Sequence, residues 1–322
     1  MGEGHRVPQS NGVASVNSPS LQSTVTATKL NVIVPSVNGW KDLEGCLAAL
    51  DKERLEFELE VIVVDRLGPE VQNRAQEAYP AIQLIVAPQE ATIPEMRALA
   101  LEAATAPWVA VIEDHVIVPM GWAQSLVEVA LEGHPIVAGS VENIATGTLV
   151  DRTAFLCEYH HLLPPIPQGE VGGVAGNNVV YSRSLLAEHE EAWRAGRWED
   201  HLHASFVAAG ESLWCEPSIV VGHKMHYRWR DYFSQRYLYA RSYAGARVKG
   251  EPLAKRLLYG GAAFILPLLL LWRICRTIWS KRKFRGQLLW GLPLLASFVA
   301  AWGMGEMMGY WFGAGTSLRK VK

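Results

Sequence analysis

The chain has 322 residues, a formal net charge of −2 and 49% hydrophobic residues. That length accommodates one large α/β domain with an appendage, and the balanced charge excludes a nucleic-acid binder built on a global basic excess. Cys46, Cys157, Cys215 and Cys275 are scattered with no C-x-x-C pair, which excludes a cysteine metal framework and fits a reducing compartment.

Residues 1–29 are rich in Ser, Asn, Thr and Gly and read as a disordered leader without the apolar core of a signal peptide. Strand and helix then alternate. Leu30 to Pro35 is an apolar run fit for a buried strand, and Trp40 to Leu55 has helical spacing. Leu59 to Val64 is the second strand, Val71 to Tyr79 the second helix and Ile82 to Val86 the third strand. Thr92-Ile93-Pro94-Glu95 is a capping box with Pro in the first turn, opening a helix to Ala104. Trp108 to Ile112 is the fourth strand, Gly121 to Glu132 a helix and Ile136 to Val141 a further strand. Val150 to Gln168 has no clean period. Gly172 to Asn178 is a loop before Val179-Val180-Tyr181, without the glycine spacing of a dinucleotide fold. The alternation predicts an α/β fold with a mostly parallel sheet flanked by helices.

In such sheets ligands gather at the carboxyl ends of the strands. Asp65 ends one apolar strand, Glu113-Asp114-His115 follows another, and His223 follows Ile219-Val220-Val221-Gly222. Asp200 lies in Trp198-Glu199-Asp200-His201-Leu202. Neighbouring residues of a continuing strand point to opposite faces, so Glu113, Asp114 and His115 cannot all converge if the strand runs through them. The structural alternative for Asp65 is a helix N-cap or a solvated loop acid. His201 and His203 lack a third ligand at zinc spacing and read as surface or core histidines.

These residues resemble the family-two glycosyltransferases of the GT-A fold, over roughly Leu30 to Arg247. Val32-Ile33-Val34-Pro35-Ser36-Val37-Asn38 is similar to the opening strand of that family, Glu113-Asp114-His115 with Pro119 to its D-x-D region, and Gly176-Asn177-Asn178 with Glu199-Asp200 to its acceptor loop and acid pair. The resemblance implies a domain over 30–230 that moves a sugar from a nucleotide-diphospho-sugar with inversion. It places Pro35, Asn38, Asp65, Arg97 and Glu113 on the donor, and Asn177, Asn178 and Trp198 on the acceptor side. Asp114, His115 and His223, with His226 as fallback, would hold Mg²⁺ or Mn²⁺, and Asp200, with Glu199 as competitor, would be the general base. Three departures stand out. Arg66 replaces a second acid after Asp65. Aligned on Pro119, the first Asp of D-x-D falls on Ile112. Gln235-Arg236-Tyr237-Leu238-Tyr239 breaks the Q-x-x-R-W of processive enzymes, which favours addition of one sugar. The reading requires Asp65, Asp114 and Asp200 to line one cleft.

The segment 231–256 alternates Tyr and Arg as an amphipathic aromatic-basic helix, suited to anionic headgroups or a phosphate. Over 257–322 two apolar runs, Leu257 to Trp272 and Leu288 to Phe312, flank a basic loop. They read as membrane helices, with the catalytic domain on the cytoplasmic face of the cell membrane and a lipid or lipid-linked acceptor. Two plain spans would put the basic loop outside, so one or both runs are expected to turn back at Pro267 or Pro293. Gly305, Gly309 and Gly313 form a ridge suited to helix packing, including a homo-oligomer, with Glu306 beside it awaiting a basic partner. Two rival readings remain: a nucleotidyltransferase, although Ser36 to Trp40 lacks the basic phosphate loop, and a non-catalytic membrane subunit of a glycan or glycolipid assembly complex.

Overall fold

The computed structural model describes residues 29–321; all of the expected leader except Lys29 lies outside the described residues. In chain order the elements are β1 (Leu30–Ser36), α1 (Trp40–Glu53), β2 (Leu59–Asp65), α2 (Pro69–Ala78), β3 (Gln83–Val86), α3 (Ile93–Ala103), β4 (Trp108–Val111), β5 (Val116–Ile117), α4 (Trp122–Leu131), β6 (Ile136–Asn143) and α5 (Leu149–Tyr159). They continue with β7 (Gly169–Val171), β8 (Val179–Ser182), α6 (Arg183–Glu188), α7 (Glu190–Arg194), α8 (Glu199–Ala208), β9 (Leu213–His223), α9 (Trp229–Arg247), α10 (Leu253–Ala262), α11 (Leu266–Ser280) and α12 (Arg285–Phe312).

The sheet runs β3-β2-β1-β4-β8-β6-β9-β5, with β7 on β9. Its first half is parallel, because apolar runs joined through α1, α2 and α3 need crossovers. β8 enters antiparallel between β4 and β6, and β5 and β7 lie antiparallel on β9, so the sheet as a whole is mixed. β1 is buried along its whole length. Val32 and Val34 face the core shared with Leu43, Leu47 and Leu50 of α1, whereas Ile33 faces the core under Met96 and Ala100 of α3. This is the two-residue alternation of a strand covered on both sides.

The capping box at Thr92 forms as its sequence predicts, with Thr92 N–H donating to Glu95 at 2.7 Å. A second box, Thr148 with Asp151, opens α5 in the stretch without a clean period. Burial explains the missing period: Thr153, Ala154, Phe155, Leu156 and Cys157 are all enclosed. One side of α5 meets the sheet and the other meets α12.

The C-terminal helices are continuous with this core. Ile274 and Ile278 of α11 and Leu295, Phe298 and Val299 of α12 belong to the same apolar cluster as β1. The run expected over Leu257 to Trp272 breaks between Ala262 and Leu266, where α10 and α11 meet at a 48° bend. Among the described residues, α12 is the one helix long and apolar enough by itself to cross a bilayer. The glycine ridge is used inside the chain: a Cβ on Gly305 would overlap the Tyr237 carbonyl, and one on Gly309 would crowd the Arg241 carbonyl and Ala244. The expected oligomer through that ridge is therefore corrected, since α9 already occupies it. Glu306 points inward, accepting from Trp302 Nε1 at 2.8 Å and the Tyr310 hydroxyl at 3.0 Å, with Arg247 at 3.9 Å as its basic partner.

Candidate active site

The turn after β4 sets the site. Val116 N–H donates to the Glu113 carbonyl at 3.0 Å, so the chain turns over residues 113–116 instead of continuing as a strand. Glu113 and His115 then project to one side and Asp114 to the other. β9 brings the third member: its antiparallel register on β5 pairs Val116 with His223, and Lys224 N–H donates to the His115 carbonyl at 3.0 Å. Ligand atoms of Glu113, His115 and His223 lie within 4.8 Å of one another. His115 Nε2 is 3.0 Å from His223 Nε2 and 3.3 Å from Glu113 Oε2.

Asp114, expected as a metal ligand, is fully buried and engaged elsewhere. One oxygen accepts from the amides of Val37 (2.7 Å) and Asn38 (2.8 Å); the other accepts from Asn38 Nδ2 at 2.7 Å and lies 3.1 Å from His115 Nδ1. It fixes the β1–α1 loop and orients the His115 ring, as carboxylates do behind metal-binding histidines. Glu113, with His115 and His223, offers the third side-chain atom of a cluster that could hold a metal ion.

Electrostatics follow from this geometry. Burial opposes a charge on His115, but Asp114 and Glu113 on either side outweigh it and raise its pKa to about 10. Burial and the neighbouring His115 cation lower His223 to about 3. Burial would lift Glu113, yet the hydrogen bond and charge of His115 hold it well below the usual carboxylate range. The flanking carboxylates thus favour the pair's proton on His115 over His223. One carboxylate oxygen and two imidazole nitrogens fit a divalent transition ion, Mn²⁺ better than Mg²⁺, which takes oxygen ligands in near-ideal octahedra.

The three residues line a cleft of about 420 Å³ that also contains Asn38, Glu158, Tyr159, Trp198, Glu199 and Arg236. Glu199 enters from the first turn of α8. It pairs with Arg97, which is 8% exposed and also donates to the Gly176 carbonyl at 3.2 Å. Gly176 is glycine for space, because a Cβ there would overlap the Glu199 carboxyl. Asp200 differs from expectation: it is exposed, lies outside the cleft lining and sits close enough to Tyr243 of α9 to add to burial in raising that phenol's pKa.

Asp65 is also outside the cleft. Its oxygens accept from Ser36 Oγ (2.8 Å), the amides of Leu67 and Gly68 (3.0 Å each) and Gln72 Nε2 (2.9 Å). It shapes the β2–α2 turn, so Asp65, Asp114 and Asp200 line no common cleft; the condition set by the sequence reading fails for those three acids, and an enzymatic reading rests instead on Glu113, His115, His223 and Glu199, which do share one. Pro35 is buried within β1. Asn177 Nδ2 reaches Glu113 at 3.0 Å and Tyr159 at 2.9 Å. Asn178 lies behind, joining the carbonyls of Ser140 and Ile219 to Trp122 Nε1. Trp198 stacks on Tyr239 with centroids 4.4 Å apart. His203 is a core histidine on the Tyr181 hydroxyl at 2.7 Å, and His226 lies 3.3 Å from Asp151, outside the three-residue cluster.

The aromatic-basic helix α9 turns inward. Arg236 lines the cleft, sits 4.1 Å from the Trp302 ring centre and 4.0 Å from Glu158, and keeps a buried Nε without a hydrogen-bond acceptor. Glu158 and Tyr159 were not singled out from sequence, although the Thr148 box starts the helix that carries them. Arg66 donates to the carbonyls of Ala91 and Val321, each at 2.6 Å, and so holds Val321 at the cleft lining.

Residues 31–189, just under half of the chain, match the family model described as glycosyl transferase family 2. No curated protein matches the sequence. Among solved structures, the chain is similar to TarS 1–349 of S. aureus at 15% identity, over 87% of this chain and 90% of that one, with a TM-score of 0.46. The family match supports glycosyl transfer in general.

Proposed function

We propose that the chain transfers one sugar, with inversion, from a nucleotide-diphospho-sugar to a membrane lipid or lipid-linked acceptor at the cytoplasmic face of a membrane. The observation that carries this reading is that Glu113, His115 and His223 share one cleft with Glu199. In this reading Glu113, His115 and His223 hold Mn²⁺. The bound cation would neutralise charge on the departing diphosphate.

The chain's own groups do the rest. Glu199, held in place by Arg97, takes the proton of the acceptor hydroxyl. That oxygen then bonds to the anomeric carbon as the bond to the diphosphate breaks and the electron pair leaves with the phosphate. Arg236 and Lys41 supply positive charge in the same cleft. The Trp198–Tyr239 stack offers an aromatic wall to the acceptor side. Glu199 is preferred to Asp200 because it lines the cleft.

The test is a thermal-shift screen with UDP, GDP and their sugars, with and without Mn²⁺. Binding to the folded state alone raises its stability by RT ln(1 + [L]/Kd). A nucleotide sugar whose shift requires Mn²⁺ supports the reading. No shift with any donor, with or without the ion, favours the non-catalytic subunit.

A further inference from the structure

Between Glu251 and Glu306 the sequence has no acidic residue and eight cations, in a stretch that is otherwise largely apolar. The structure sorts these groups by side. On α11, Ile274 and Ile278 are buried against the body, whereas the N-cap Ile265 and then Leu268, Leu269 and Trp272 form an outward stripe at i, i+3, i+4 and i+7, with Leu268 69% and Trp272 61% exposed. Trp290 of α12 is 80% exposed. Arg273, Arg276, Arg282 and Lys283 are exposed beside this stripe, with Arg276 over Trp272 at 5.4 Å and Arg285 over Trp279 at 4.6 Å. An apolar face edged by Trp and cations, with no acids, is complementary to a leaflet carrying anionic headgroups.

The same contacts argue against a crossing. α12 is held lengthwise on the body: Gly291 against Thr153, Phe298 on Tyr232 at 4.6 Å, Trp302 under Arg236, and Gly305 and Gly309 on the α9 backbone. At about 1.5 Å per residue those contacts extend over roughly 27 Å, close to the ~30 Å hydrocarbon thickness. A crossing α12 would therefore carry α9 and α5 into the bilayer, together with the exposed Arg230, Asp231 and Arg247.

We propose that α10, with Leu257 53% and Leu258 69% exposed, the α11 stripe, and the exposed Leu289 and Trp290 of α12 form a docking face that lies in one leaflet of an anionic bilayer, with no helix crossing it. The inference rests on the lipid-acceptor reading only in taking a bilayer as the partner. It leaves the basic turn after α11 on the same side of the membrane as the cleft. α9 and the end of α5 are the elements that both line the cleft and pack on α12, which places Arg236 between the docking face and Glu199.

The test uses the full chain and flotation with vesicles of phosphatidylcholine alone or with one quarter phosphatidylglycerol. Wild-type protein should float with the mixed vesicles and at least tenfold less with the neutral ones. Leu268→Glu with Trp272→Glu should lower flotation at least tenfold while circular dichroism and thermal shift with soluble donor stay unchanged. Replacing Arg273, Arg276, Arg282 and Lys283 by Gln should remove only the anionic preference. In sealed membranes, Ser280→Cys and Thr316→Cys, both at exposed positions, should react from the same side. Labelling of the two from opposite faces overturns the proposal. So does wild-type protein that ignores both vesicles and instead forms a dimer broken by Leu268→Glu. Either failure leaves the donor-binding test untouched.

Discussion

The Nε2 atoms of His115 and His223 face each other at 3.0 Å across the β5–β9 pairing, with a Glu113 oxygen 3.3 Å from His115. Such a pair needs one proton between its nitrogens, and flanking Asp114 and Glu113 assign that proton to His115. A divalent ion held by both rings must displace it.

Proton release follows. Metal ligands bind deprotonated, and His115 has its pKa raised to about 10. At pH 7–8 binding of Mn²⁺ should release close to one proton, and apparent affinity should rise about tenfold per pH unit over that range. Calorimetric titrations in two buffers of different ionisation enthalpy measure this directly.

Asp114 separates positioning from ligation. Asp114→Asn keeps the shape but removes the charge behind His115, and should weaken Mn²⁺ binding by about 10- to 100-fold. Asp114→Ala leaves the buried amides of Val37 and Asn38 without an acceptor. It should cost at least about 2 kcal/mol in denaturant unfolding.

Much of the frame was legible in the sequence, and particular residues show why the rest was not. β1 and β2 read directly, being apolar runs buried on both faces. Thr92 and Glu95 announced α3. α5 was hidden by its burial on both sides, and only the Thr148–Asp151 spacing marked it. At the site, Glu113 and His115 stand two apart, which places them together if the chain turns at Asp114. The sequence showed the acids without the turn, and alignment on Pro119 moved attention to Asp114. His223 follows its strand visibly, yet its partner depends on the β5–β9 register. No local pattern encodes that pairing. The inward orientation of Glu199 depends on Arg97 and on the space left by Gly176, both distant in the chain.

The packing of α12 on α9 gives a stability prediction. Gly309→Val forces a branched side chain against the Arg241 carbonyl and Ala244. It should destabilise by about 1–3 kcal/mol without changing the sedimentation behaviour, because the ridge packs within one chain.

Acid sensitivity should have a contribution from a histidine just outside the cleft lining. Burial, with the neighbouring His161, lowers His160 from 6.5 to about 3. The unfolded chain therefore binds this proton first as pH falls. The stability contributed by neutral His160 is intact above about pH 6.5 and is lost on the way down to about 3, at up to ~1.4 kcal/mol per pH unit. His160→Gln should flatten the slope of Tm against pH between 6 and 4.

The most direct measurement is turnover of the nucleotide sugar identified by thermal shift, with Mn²⁺, by wild type, Glu199→Gln, Asp200→Asn and His223→Ala. The account predicts a loss of about 10²- to 10⁴-fold for Glu199→Gln at unchanged donor binding. His223→Ala should lose Mn²⁺ dependence together with activity, and Asp200→Asn should stay within a few fold of wild type. Full activity in Glu199→Gln, or an inactive Asp200→Asn that still binds donor and metal normally, would contradict it.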